Sequence, residues 1–185
     1  MTAVLASLRL CGGGANLAGM KVRAATMDDV ERVSAILAAS YPSLMRGAYS
    51  DDLLARALPR ITAANPALLA SGTYYLAEAE DGTAAGCGGW SYRPPEEDRR
   101  EEGVAHIRHF ATHRDWTGMG VGRAVFDRCE ADARAGGFAR FTCYSSLNGE
   151  SFYAALGFRR VREIAVPLSR DLSFPSVLMV REIGN

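Results

Sequence analysis

Apolar positions fall at helical spacing in some stretches of the chain and in strand-like runs in others, and their order sets the expected architecture. Lys21 to Ala25 reads as a short strand. Thr26, with Asp29 three residues on, makes a capping-box-like start for a helix whose Val30, Val33, Ile36 and Leu37 share one face. Asp51 to Leu58 and Ile61 to Leu69 read as helical segments broken at Pro59 and Pro66, because a proline nitrogen cannot donate to the helix ladder. Thr73 to Ala79 and Ala85 to Tyr92 are strand-forming runs separated by Asp81-Gly82, which predicts a β-hairpin. Pro94-Pro95 and the charged run Glu96 to Glu102 end it as an exposed loop.

The second half continues with a strand at Val104 to Thr112, a glycine turn, a helix at Val121 to Ala135, a strand at Arg140 to Ser146 and a helix at Glu150 to Leu156. Terminal β segments follow near Phe158 to Pro167 and Val177 to Glu182. In the longer helix, Val125, Phe126, Cys129 and Ala133 line one face and most of the charged residues the other, so that face packs on a sheet. Gly136-Gly137 stops it. Hairpin pairing before this helix and a crossover around it predict an α/β fold with a mixed, mostly antiparallel central sheet flanked by helices.

Composition narrows the picture. At 185 residues, with 48% hydrophobic and 23% charged content, the chain fits one domain with a sizeable core. Lys plus Arg and Asp plus Glu are both 21, so no global field draws the chain to nucleic acid or an anionic membrane, and neither is expected as a partner. No apolar run approaches the roughly 18 residues of a membrane span. Cys11, Cys87, Cys129 and Cys143 lack metal-ligand spacing, and the last three fall in apolar elements, which reads as buried reduced thiols in a cytoplasmic protein. Leu5, Leu8 and Leu10 are interrupted by Arg9, with no basic segment ahead of them, so residues 1–19 read as an N-terminal extension rather than a signal peptide. Residues 20–185 are then a single domain.

The most informative segment is Thr117-Gly118-Met119-Gly120-Val121-Gly122-Arg123, a glycine-rich turn between a strand and a helix. Glycines there let backbone N–H groups converge on an anion, and the helix start adds its unpaired donors and dipole. The alternative is a tight turn and nothing more. No Lys-Ser/Thr closes it as in a P-loop, and the spacing is not that of a dinucleotide fingerprint. Downstream lies Asn148-Gly149-Glu150-Ser151-Phe152-Tyr153-Ala154-Ala155-Leu156-Gly157-Phe158.

Taken with strand Val104 to Thr112, this order resembles the GNAT superfamily of N-acetyltransferases, with its Q/R-x-x-G-x-G/A turn and its later FYxxxGF-like segment. Thr117 stands where the family carries Gln or Arg. The resemblance implies acetyl-CoA as cosubstrate, with a splayed strand pair taking the pantetheine arm. It implies contacts from Phe110, Ala111 and Thr112, from the turn residues Thr117, Gly118, Met119, Gly120, Val121, Gly122 and Arg123, and from Asn148 and Ser151. Tyr153 is implied as the acid for the leaving thiolate, a role a phenol of ordinary pKa about 10 can fill. The other reading of Tyr153 is an amphipathic aromatic with a locally satisfied hydroxyl.

The histidines cluster at His106, His109 and His113. Period-two alternation places His106, Arg108 and Phe110 on one strand face and Ile107, His109 and Ala111 on the other. His106 falls where several family members carry a glutamate base, and it reads equally as a general base or as a hydrogen-bonded sheet histidine. No metal is expected, since residues 106 and 109 face opposite ways. Tyr74, Tyr75, Trp90 and Tyr92 read mainly as core, with one or two available to an acceptor pocket, and the Glu96 to Glu102 run as a solvated loop able to attract a cationic amine. The functional expectation is acetyl transfer to a primary amine, of a small molecule or a protein, by direct attack in a ternary complex. A non-catalytic acyl-CoA-sensing module is the alternative, and a homodimer is compatible with the hairpin and terminal strands.

Overall fold

The computed structural model describes residues 19–95 and 100–184. Apart from Gly19, the expected extension at 1–19 lies outside the described residues, as do Cys11 and residues 96–99 of the acidic run. The elements are β1 (Lys21–Ala24), α1 (Val30–Leu44), α2 (Asp51–Ile61), α3 (Pro66–Leu69), β2 (Tyr74–Glu78), β3 (Ala84–Ser91), β4 (Val104–Thr112), α4 (Val121–Ala135), β5 (Arg140–Ser146), α5 (Glu150–Ala155), β6 (Arg159–Ser169) and β7 (Leu172–Glu182). They build a seven-stranded sheet in the order β1-β2-β3-β4-β5-β7-β6. Every neighbouring pair is antiparallel except β4 with β5, which the α4 crossover makes parallel. The expected mixed, mostly antiparallel sheet flanked by helices is the fold observed.

Each face of the sheet has its own core. On one, Val125, Phe126 and Cys129 of α4 pack on Tyr75, Trp90, Ile107 and Phe141. On the other, Val33, Ile36 and Leu37 of α1 pack on Tyr74, Leu76, Cys87 and Ala111. Burial of side chains this size stabilises by about 1.5–3 kcal/mol each, so the two helical faces hold the sheet from both sides. The Asp29 carboxylate accepts the Thr26 N–H at 2.9 Å and opens a short 3-10 turn into α1. The same carboxylate pairs with Arg23 and Arg32, which also reach Glu78, so β1, α1 and β2 meet in one ion cluster.

Three expectations change. The helix at Asp51 does not break at Pro59 but runs to Ile61, because the proline lies in its last turn and Thr62 still closes on the Leu58 carbonyl at 3.0 Å; the next helix is only Pro66–Leu69. The terminal strands are longer than their patterns and pair as one hairpin from Arg159–Val180 to Ser169–Leu172. Lastly, the faces of β4 do not alternate throughout. Cys87 opposes Ala111 while Gly89 opposes Arg108, so β4 carries one extra residue, a β-bulge. Phe110 therefore joins Ile107 against α4 rather than sharing a face with His106 and Arg108, and Ala111 joins the α1 core.

Candidate active site

A seam opens between β4 and β5. They pair only at Val104–Arg140, Ala105–Phe141 and His106–Thr142. Beyond His106 the strands separate, and a cleft of about 740 Å³ lies between Ile107–Thr112 on one wall and Cys143–Ser146 on the other. The bulge sits on this wall: His109 has φ of 44°, unusual for a residue with a Cβ. Two tyrosines from the α1 side hold it. The Tyr74 hydroxyl donates to the His109 carbonyl at 2.8 Å and the Tyr41 hydroxyl to the Phe110 carbonyl at 3.4 Å. On β3, Gly88 makes room for the Phe110 ring, since a Cβ there would come within 2.6 Å of it.

At one end of the cleft is the glycine turn. Gly118 and Gly120 adopt φ of 78° and 84°, the left-handed region that suits glycine. The first helical bond runs from Ala124 N–H to the Gly120 carbonyl at 3.0 Å, so the N–H groups of Val121, Gly122 and Arg123 precede the ladder at the helix start. Thr117, Gly118, Gly120, Val121, Gly122 and Arg123 all line the cleft. Met119 does not, and its side chain is exposed. The Arg123 guanidinium donates to the Ala155 carbonyl at 2.9 Å, tying α4 to α5. Asn148 lines the cleft with its Oδ1 buried and unpaired, an acceptor waiting for a donor. Ser151, one turn on, is exposed and outside the lining.

Tyr153 is 8% exposed and lines the cleft from α5. Burial first, then the neighbouring Cys143 thiol, raise its pKa well above the usual phenol value. It is therefore a proton-bearing group at neutral pH. Burial likewise pushes the Cys143 thiol up to about 12, which keeps it from serving as a thiolate nucleophile.

The two strand histidines divide. His106 is 3% exposed, its Nδ1 lies 2.6 Å from the Thr142 Oγ1, and its Nε2 is buried without a hydrogen-bond partner, 3.9 Å from a Glu101 carboxylate oxygen. It sits at the vertex of the seam, behind the lining rather than in it. His109 lines the cleft. Burial, then the Arg108 charge, lower both to about 4, so both rings are neutral at physiological pH. His113 lies beyond the strand, and among the described residues no group of His, Cys, Asp or Glu could hold a metal ion.

The remaining wall was not legible as a site. Leu44 and Met45 at the end of α1, Ile61 and Arg60 at the end of α2, and Val166, Leu168 and Phe174 on the β6–β7 hairpin converge here from distant parts of the chain. Pro59 and the irregular helices hinted that this region is special, but no spacing marks these residues. The hairpin aromatics do not line the cleft: Tyr74, Tyr75 and Trp90 are core, with Tyr75 and the Trp90 indole both donating to Asp132, and Tyr92 is on the surface.

Residues 31–158 match the family model described as the acetyltransferase (GNAT) family. The chain belongs to that family. Acetyl-CoA-dependent acetyl transfer is thus its chemistry. A GCN5-related N-acetyltransferase from Rhodopseudomonas palustris is similar over 88% of this chain and 94% of its own, at 22% identity and a TM-score of 0.68. A PaiA N-acetyltransferase from Thermoplasma acidophilum, solved with coenzyme A, is similar over 88% and 98%, at 16% identity and 0.67. The ribosomal-protein-S18-alanine N-acetyltransferase from Escherichia coli is similar over 90% and 95%, at 14% identity and 0.59. No curated protein matches. At such identities the likeness is one of fold. The GNAT chain's own features fit acetyl-CoA: an unpaired strand edge for the amide-bearing arm, an orphaned Asn148 acceptor, and helix-start donors for the phosphates. Among the described residues, no helix is long and apolar enough to cross a membrane.

Proposed function

We propose that this protein acetylates a primary amine by direct attack in a ternary complex. The observation that carries the reading is the single cleft that joins the glycine turn, the Tyr153 hydroxyl and the separate wall built by α1, α2 and β6–β7, so both substrates have room at one phenol. Acetyl-CoA supplies an acyl group already activated as a thioester. The β4 edge at Phe110, Ala111 and Thr112 and the Asn148 amide orient the arm, and the turn N–H groups with Thr117 hold the phosphates. Tyr153, kept protonated, delivers its proton to the sulfur as the C–S bond breaks and the N–C bond forms. His106, neutral and with an unpaired Nε2 at the vertex of the seam, takes the amine's proton through an intervening water. Met119 and Ser151 have no part in this scheme.

The soluble, single-domain and cytoplasmic reading accompanies the proposal without being needed by it. The test is thiol release from acetyl-CoA across a panel of amines, with calorimetry of CoA binding beside it. Amine-dependent release supports acetyl transfer. Tight CoA binding with no release for any amine identifies a sensing module instead.

A further inference from the structure

We infer that the acceptor is a monoamine with an apolar body, its nitrogen at one end of an uncharged hydrocarbon chain. This deepens the acetyl-transfer reading and rests on it. The α1, α2 and β6–β7 side of the cleft is walled by Leu44, Met45, Ile61, Val166, Leu168 and Phe174. Leu44 is 42% exposed there, a large apolar side chain that gains from being covered. Phe174 is held in place: its ring stacks on Tyr49 at 4.4 Å between centroids, and the Tyr49 hydroxyl donates to the Pro175 carbonyl at 2.9 Å and accepts the Leu147 N–H at 2.7 Å. The apolar wall is therefore built before a ligand arrives.

What this wall lacks decides the class. Among the described residues no Asp or Glu lines the cleft, so the second ammonium of a polyamine would lose its water without meeting a counter-charge. The arginines of the lining are already engaged, Arg60 with the Arg56 carbonyl of its own helix at 2.9 Å, Arg108 with the Ser91 hydroxyl at 3.0 Å and Arg123 with the Ala155 carbonyl at 2.9 Å. None is held ready for an acceptor carboxylate. The Ser145 and Ser176 hydroxyls, also in the lining, turn onto the Ser146 and Phe174 carbonyls at 2.8 and 3.2 Å. Ser40 is fully buried in the lining with its Oγ unpaired, which leaves a place for one neutral hydrogen bond. A peptide would carry several donors and acceptors past the same apolar side chains, so a protein terminus fits it less well.

The experiment compares hexylamine, ε-aminocaproate, ε-aminocaproamide and hexamethylenediamine as acceptors for the intact chain at one pH, by thiol release. All four carry the amine on the same unbranched chain, so the far end is the variable. The expected result is a kcat/KM for hexylamine about tenfold or more above each of the others, as burial of an unmatched polar group or charge would give. From propylamine to hexylamine kcat/KM should rise about fourfold per methylene. Leu44→Glu, at a position exposed enough to carry a charge, should move the ratio of hexylamine to hexamethylenediamine by about tenfold toward the diamine, whereas Leu44→Gln should weaken hexylamine without favouring the diamine. A flat response to chain length, turnover of any of the three polar-ended amines equal to that of hexylamine, or an unmoved ratio in Leu44→Glu protein that binds CoA overturns the inference and leaves acetyl transfer in place. So does silence with this series while other amines release thiol. Silence with every amine, in protein that binds CoA, overturns acetyl transfer and this inference together.

Discussion

The Tyr74 hydroxyl holds the carbonyl of His109, the described non-glycine residue with positive φ, at 2.8 Å. A strained bulge persists only where its surroundings over-determine it, and here a fully buried phenol does so from β2, two strands away in the sheet. Tyr74→Phe removes one buried hydrogen bond and leaves the ring. The expected cost is about 1–3 kcal/mol of stability, with a several-fold weaker CoA affinity as the bulge relaxes. Calorimetric binding beside urea unfolding separates the two effects; unchanged affinity would mean the bulge is set by β3 alone.

Tyr153→Phe should lower kcat about a hundredfold while CoA affinity stays within about twofold, since it deletes a proton donor and keeps the ring packed. Steady-state kinetics with calorimetry check this. An equal loss in binding would make Tyr153 structural.

Gly120→Val should weaken CoA binding far more than Thr117→Ala. Valine at φ of 84° is strained by roughly 1–2 kcal/mol and puts a branched side chain at the proposed phosphate site, whereas Thr117 would supply one side-chain hydroxyl. Comparable losses in the two variants would assign the phosphate site to side chains.

Both cleft-region histidines have folded values near 4, below their ordinary 6.5. The unfolded chain therefore binds more protons between those values, so their contribution to stability is present above about 6.5 and is lost as pH falls toward 4. At pH 5.5 each histidine should account for about 1 kcal/mol of lost stability relative to pH 7.5. His106→Gln and His109→Gln, unfolded in urea at both pH values, should each flatten that decline. His106→Gln alone should also lower kcat several-fold, because the proposed route for the amine's proton ends at its Nε2; equal kinetic loss in His109→Gln would move the base to the cleft wall.

Much of this molecule was legible before its structure. The glycine turn, the helix after it and the Tyr153 segment carry local signals, since turn chemistry and helical spacing act over a few residues. Three things were not. Phe110 and Ala111 swapped faces because a bulge adds a residue without leaving a mark in the alternation, although Gly88 opposite, where a Cβ would collide with the Phe110 ring, was its trace on β3. His106 went behind the lining because the point at which β4 and β5 part is decided by pairing, not by the residue. The wall at Met45, Ile61 and Phe174 is assembled by tertiary convergence, so no window of sequence contains it.

The parting of β4 from β5 also gives the sheet an edge in its interior. Backbone groups of β4 past His106 face an opening where a neighbouring strand would ordinarily be. A ligand arm that lies along them supplies missing rungs to the ladder and joins the two halves of the sheet, so binding and cohesion are thermodynamically linked. At CoA concentrations a hundredfold above Kd the folded state should gain about 2.7 kcal/mol, and Tm should climb with the logarithm of ligand. Amide exchange should slow on β4 and β5 together, on both banks of the seam, rather than at the glycine turn alone.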